Sequence, residues 1–292
     1  MTAGALMHIG IGLPSTIPWA RGEQIVEWAR AAEDHGFSSL GVIDRLVYGN
    51  TEPLVTLGAA AAVTERIRLM TSILLVPWRV NAALLAKQAA TVNHLSGGRL
   101  VLGMAVGGYR DDYDASGVPF RERGRRFDEM LEEMTHIWAS QSTAEGGGAI
   151  GPAAGVDRSR IIFGGHSSRA YARVATWGAG WIGGSRGVDA FRQGADGVER
   201  AWTEHGRRGL PRLMALPYFC LGPGARATAE AFLADHYAVE GSAASTVISG
   251  ALTDRNAVRE AIAAYDAAGC HELILFPCSP DPEQVRLLAD AL

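Results

Sequence analysis

Apolar positions recur with two rhythms along this chain. Short, nearly continuous apolar runs at residues 8–13, 39–43, 67–75, 100–106, 160–163, 180–182, 212–220 and 272–276 carry little charge, as strands covered on both faces do. Between them, apolar residues return every three to four positions. This predicts helices at 23–35, 54–64, 82–95, 169–177, 188–205, 225–237, 254–268 and 283–292, and the stripe Phe127, Met130, Leu131, Met134, Ile137, Trp138 marks one more. Parallel strands need crossovers, and helices supply them. Eight such units predict an α/β chain folded as one closed (β/α)8 TIM barrel, a single domain over residues 1–292. A doubly wound sheet uses the same alternation, but usually with fewer strands and with a nucleotide fingerprint after the first. Here GLPST follows instead of G-x-G-x-x-G. Residues 140–155, rich in Gly, Ala and Ser, read as a mobile loop over the barrel mouth or a linker around it, and 241–250 as a second flexible loop.

In a barrel, function collects in the loops that follow strands, while the opposite loops serve stability. This places Asp44, Arg45 and Tyr48 on the functional face after the second strand, and Trp78 and Arg79 after the third. Gly107, Gly108, Tyr109 and Arg110 follow the fourth strand, where the absence of side chains lets a ligand approach the backbone. Gly164, Gly165, His166 and Ser167 follow the fifth and open a helix, whose free N–H groups suit a phosphate. Gly183, Gly184 and Ser185, one strand along, would close the same cradle, although Gly-Gly also marks plain tight turns. Tyr48, Trp78, Tyr109 and Trp181 suit a flat ring ligand or simply pack. His8 and Arg99 begin strands and fall on the stability face. His35, His94, His136, His205 and His236 lie on or at the ends of helices and are expected at the surface. Without paired spacing the histidines predict no metal site.

The net charge of −4 argues against nucleic acid as the main partner. The basic cluster 121–126 (RERGRR) is followed by Asp128, Glu129, Glu132 and Glu133 and reads as a solvated helix start. Cys220, Cys270 and Cys278 have no metal or redox spacing and read as reduced, buried thiols of a cytoplasmic enzyme. The first ten residues, MTAGALMHIG, form no signal-like pattern, and no run reaches the roughly 18 apolar residues that span a bilayer. Lys87 is the only lysine.

Three segments carry a resemblance. LAKQAATVNHLSGGRLVLGMAVGG (85–108), with Tyr109, Asp112-Tyr113 and Gly117 after it, resembles the central signature of the bacterial luciferase-like superfamily of flavin-dependent oxidoreductases. IIFGGHSSRAYARVATWGAGWIGG (161–184) resembles its second signature, and AAGCHELILFPCSPD (267–281) its last strand. The resemblance implies a barrel whose mouth binds FMN or the deazaflavin coenzyme F-420, with the phosphate against Gly164–Ser167 and Gly183-Gly184. It also implies a bulged third strand with a non-proline cis peptide at Ser72–Ile73, behind the ring. Two departures stand out. Many relatives have an Asp-His or Glu-His pair where this chain has Asp44-Arg45, and a guanidinium cannot serve as acid or base near neutrality. The usual tryptophan after the fourth strand's glycines is Tyr109.

The expected function is therefore hydride transfer with F-420, or monooxygenation through reduced FMN and oxygen, on a small organic substrate. The arginine-heavy composition and compact chain favour F-420. Asp44 and Arg45 are expected at the reacting end of the ring, with Asp44 accepting a hydrogen bond from the ring or holding Arg45. Arg45 would offer donors to a developing charge or a substrate carboxylate; the plainer alternative is a surface ion pair. Tyr48, Trp78, Tyr109 and Arg110 would line the substrate side. A separate flavin or F-420 reductase and a second copy in a homodimer are the expected partners. A flavin-binding barrel without turnover, serving as carrier or sensor, is the alternative of another class. A phosphosugar isomerase or lyase would want a lysine or paired carboxylates at strand ends, and Lys87 is on a helix.

Overall fold

The computed structural model describes residues 6–142, 148–153, 155–238 and 242–292. Among these, nine strands form one sheet: β1 His8–Gly12, β2 Ser39–Val42, β3 Arg68–Leu75, β4 Leu100–Ala105, β5 Ile161–Gly164, β6 Gly180–Gly183, β7 Arg212–Ala215, β8 Tyr218–Phe219 and β9 Glu272–Pro277. Strands β1 to β7 follow one another round the sheet. β9 pairs in parallel with both β7 and β1, so the sheet closes into the (β/α)8 barrel that the alternation predicts. The helices are α1 Gly22–Asp34, α2 Pro53–Val63, α3 Ala82–Leu95, α4 Arg110–Ser116, α5 Arg123–Ser140, α6 Ser168–Trp177, α7 Val188–Glu204, α8 Ala225–His236, α9 Ser242–Ser249, α10 Arg255–Ala267 and α11 Glu283–Ala289. No helix among the described residues is long and apolar enough to cross a membrane.

The core has two shells. Outward-facing strand residues such as Leu40, Leu69, Leu102 and Phe163 pack against Trp28, Leu85 and Leu131 of the helices. Inward-facing residues, among them Met70, Val101, Ile162, Met214 and Ile274, fill the barrel. Phe276 occupies space that two glycines leave open: a Cβ on Gly12 would lie 2.3 Å from its ring, and one on Gly41 2.7 Å. The amino end of the barrel is closed by charge. Glu272, fully buried, accepts from Ser38 Oγ (2.6 Å), Ser39 Oγ (2.7 Å), Arg68 (3.0 Å) and Arg212. Arg99 donates to the carbonyls of Ala61, Thr64, Ile67 and Ser96, a bracing role that fits its place on this face. Cys220, Cys270 and Cys278 are buried free thiols.

Four expectations need correction. The run 212–220 is not one strand. Pro217, which has no N–H for the ladder, stands between β7 and β8, and both halves pair with β9. Residues 110–116, outside every expected helix, form α4, ended by Gly117 in the left-handed region. Residues 242–249 of the second expected flexible loop are α9. The described residues of 140–155 follow α5 and precede β5, so they lie at the amino end of the sheet, which overturns the reading as a loop over the mouth and leaves that of a linker. Its described part is tied down by Ile150 N donating to Gln141 O (2.6 Å) and Lys87 Nζ to Gly151 O (3.1 Å). Residues 143–147 and 154, on which much of the expected mobility falls, lie outside the described residues.

Candidate active site

A cavity of about 240 Å³ opens at the carboxyl ends of the strands. Asp44 and Arg45 from the β2 exit, Ser72 and Ile73 from β3, and Tyr109 after β4 line it. So do Gly164, Gly165 and His166 at the end of β5, and Gly183 and Gly184 at the end of β6. Five different strands and the loops after them thus bring ten of the predicted residues together. Tyr48, Trp78, Gly107, Gly108, Arg110 and Ser167 are not in the lining.

Asp44 and Arg45 diverge, because consecutive residues leaving a strand point to opposite sides. Asp44 does not hold Arg45. Its Oδ2 accepts from Leu75 N (2.8 Å) and Arg79 Nη2 (2.9 Å), while Oδ1, equally buried, has no partner. Burial pushes the Asp44 carboxyl up to about 6, against the pull of Arg79 and the Leu75 N–H. Arg79 also bonds Glu52 (2.7 Å) and lies over Trp78, whose ring belongs to the packing beneath the site. Arg45 is buried rather than a surface ion pair. Its Nε bonds Asp112 (3.0 Å), its Nη2 bonds Asp111 (2.9 Å) and Val47 O (3.2 Å), and its guanidinium lies 3.6 Å from the centre of the Tyr109 ring. The other Asp112 oxygen accepts from the backbone of Leu46 and Val47, fastening the β2 exit to α4.

The bulge in β3 is present. Thr71 stands opposite Leu102 and Leu74 opposite Met104, so β3 carries one residue more than β4. The Ser72–Ile73 bond is not cis, however; the one cis peptide among the described residues is Gly151–Pro152. An extra residue left out of the ladder accommodates the kink without isomerisation. The bulge leaves the Ser72 hydroxyl buried in the lining without a partner.

At the glycine-rich exits, a Cβ on Gly164 would lie 2.8 Å from Ile73 Cδ1, and Gly165 has φ +110°. Trp181 Nε1 donates to Gly165 O (2.9 Å), which pins this loop. Ser167 Oγ accepts from Ala170 N (3.2 Å) and is committed to capping α6. Around Gly184 there is open space. Burial and the neighbouring Arg186 charge both hold the His166 imidazole below its usual value.

Ser185, expected beside Gly184, is in the lining too; sequence reasoning missed Arg186, Tyr218, His236, Tyr237 and Val247, all in the lining. Arg186 stands two residues beyond Gly184, is exposed, and makes no ion pair among the described residues. Ser185, Tyr237 and Tyr218 form a hydroxyl chain at 3.4 and 3.0 Å. His236 is a correction: instead of lying at the surface it is only 3% exposed. The signal was there, since Ala225, Ala229, Phe232, Leu233 and His236 make one helical stripe, and all are buried. Burial, reinforced by Arg45, holds its imidazole down at about 4.

The sequence profile of luciferase-like monooxygenases matches residues 5–288. The chain belongs to that family. An uncharacterized protein of Mycobacterium tuberculosis is 30% identical over 240 residues, which is 72% of this chain and 83% of the relative. The luciferase-like barrel is also similar to an F420-dependent secondary alcohol dehydrogenase solved with an F420–acetone adduct. That match has a TM-score of 0.81 and 16% identity, and covers 99% of this chain and 98% of the other. The oxygenating constituent of 3,6-diketocamphane monooxygenase from Pseudomonas putida, solved with FMN, matches with a TM-score of 0.72 and 16% identity over 97% and 96%. Family membership places the chain among oxidoreductases that work with a flavin-type cofactor.

Proposed function

We propose that this chain binds F-420 at the mouth of the barrel and transfers hydride between it and a small organic substrate. One observation carries the reading: Asp44 Oδ1, Ser72 Oγ and His236 Nδ1 are buried polar atoms without partners, and their side chains line one cavity. Buried polar atoms are ordinarily paired, so three in one lining call for a polar guest. The residues present fit a flavin-type cofactor. Asp44 Oδ1 and Ser72 Oγ suit the donors and acceptors on the edge of its ring. The backbone of Gly164, Gly165, Gly183 and Gly184, with Arg186 beside them, suits its phosphate.

When bound, such a cofactor supplies the hydride chemistry. The chain orients the ring against Ile73 and Tyr109, shields the reacting centre with Ile43, Leu75 and Leu216, and holds a titratable proton at Asp44. Arg45, with its Nε and Nη2 committed to Asp112, Asp111 and Val47, keeps the site's charge and the Tyr109 ring in place. The test is equilibrium binding of F-420 and FMN, each oxidised and reduced, followed by fluorescence. Tight binding of F-420 alone is the expected result; tight binding of FMN alone moves the reaction to monooxygenation; binding of neither removes the proposal.

A further inference from the structure

His236 closes α8 with its imidazole clamped by three aromatic rings. Phe232 stacks on it (centroids 5.5 Å, 24°), while Tyr48 and Tyr237 meet it edge-on, each at 4.9 Å. Tyr48 is itself fixed by its hydroxyl donating to Asp235 (2.6 Å). Packing alone therefore sets the ring's orientation. Neither nitrogen makes a hydrogen bond among the described residues, and Nδ1 is fully enclosed. A phenyl ring would pack as well without leaving a buried polar atom unpaired. The charged groups near it are Arg45 from the β2 exit and Asp235 on its own helix. Burial keeps the imidazole uncharged, and Arg45, itself paired with Asp111 and Asp112, adds to that, so the ring lines the cavity as an uncharged donor and acceptor. The same lining has apolar members in Ile43, Leu216 and Val247 and hydroxyls in Ser185, Tyr218 and Tyr237.

Resting on the oxidoreductase reading above, we propose that His236 is a catalytic residue, hydrogen-bonding the oxygen of a compact, uncharged carbonyl substrate that the site reduces to an alcohol. In this step the carbonyl carbon gains a hydride from the reduced cofactor and forms the new C–H bond. The C=O π pair moves onto oxygen, where the imidazole N–H stabilises the growing charge. The proton that completes the hydroxyl comes from the Asp44 carboxyl, leaving its carboxylate, and the cofactor ends oxidised by two electrons. A neutral imidazole suits this task, because it donates to the oxygen without first having to lose or gain a charge.

The test compares wild type with His236→Phe, which keeps the aromatic packing, and His236→Asn, which restores a nitrogen. The probes are the reduced cofactor and a series of ketones from acetone to cyclooctanone, with cofactor affinity measured separately. For His236→Phe the expected result is a thermal midpoint at or above wild type and cofactor affinity within about threefold of it. Its kcat should fall about 100-fold, with a smaller change in KM. His236→Asn should recover about tenfold of that loss. Wild-type kcat in His236→Phe, or a tenfold loss of cofactor affinity there, overturns the proposal. So does cofactor-loaded wild type that reduces none of the ketones. A wild type that binds neither cofactor fails the earlier reading instead.

Discussion

Arg79 reaches across from the β3 exit to bond Asp44 Oδ2 at 2.9 Å, leaving the other Asp44 oxygen buried and unpaired. The carboxylate is thus only half satisfied, which is why burial prevails and holds its pKa at about 6.

Asp44 should therefore titrate in the folded protein at about 6, well above the ordinary 3.8 of its class. The sign follows from the folded value being raised. Its stabilising contribution is full below about 3.8 and is lost as pH rises through about 6. Asp44→Asn should consequently gain thermal stability relative to wild type as pH is raised from 4 to 7. Carbonyl reduction by wild type should fall above pH 6, with that limb absent from the variant. A stability difference flat across this range would show that Asp44 is ionised throughout.

Arg45→Ala should act on the fold before it acts on chemistry. It strands Asp112, whose side chain is 0% exposed, with only two backbone donors. Removing one partner of such a pair costs about 3–5 kcal/mol. Denaturant unfolding of the two single variants and of Arg45→Ala with Asp112→Ala should reveal a coupling of about 2 kcal/mol or more. Additive losses would mean that the two side chains act independently.

The phosphate cradle is best tested at Gly184. Gly165 has φ +110°, so any substitution there is strained whatever it binds, whereas a side chain on Gly184 meets open space. Gly184→Asp should weaken cofactor binding at least tenfold, about 1.4 kcal/mol, with little change in stability. Arg186→Ala should weaken it less and flatten its dependence on salt. Unaltered affinity in both would place the anion elsewhere.

Acid should unfold the barrel from its amino end. Burial opposes ionisation of Glu272, yet Arg68, Arg212 and the hydroxyls of Ser38 and Ser39 together hold its carboxyl below 4.5. Its stabilisation is present above pH 4.5 and lost as pH falls through the lower folded value. His236 works in the same direction, between its ordinary 6.5 and about 4. Glu272→Gln should cost about 3 kcal/mol at pH 7, the low end for a buried network because both arginines are partly exposed, and less at pH 3. Equal losses at both pH values would remove the carboxylate's charge from the explanation.

Much of the barrel is legible because each element carries its own rhythm; α3 spans the expected 82–95 residue for residue. The glycine exits and Asp44 are legible because barrel topology delivers strand ends to one mouth. Pairings made over long separations are not. Nothing local to Arg45 announces Asp112, 67 residues away, and that pair decides what the guanidinium does. Helix α4 (RDDYDAS) shows no apolar period, since its helicity rests on Asp112 and Tyr113 being buried by the rest of the fold. His236 escaped because a helix histidine was expected in water, although its stripe faces inward.

The extra residue in β3 makes that strand two half-strands of opposite phase. Leu69 and Leu74, of opposite parity, both belong to the outer shell, while Met70 and Ile73 face inward. Substitutions at Ser72 or Ile73 change what the cavity wall presents. Loss of a single residue there would bring the halves into step, swing Leu74 into the barrel and turn the Leu75 N–H away from Asp44. The carboxylate at the end of one strand thus depends on a count of residues in the next, and an indel at this point is a change to the chemistry.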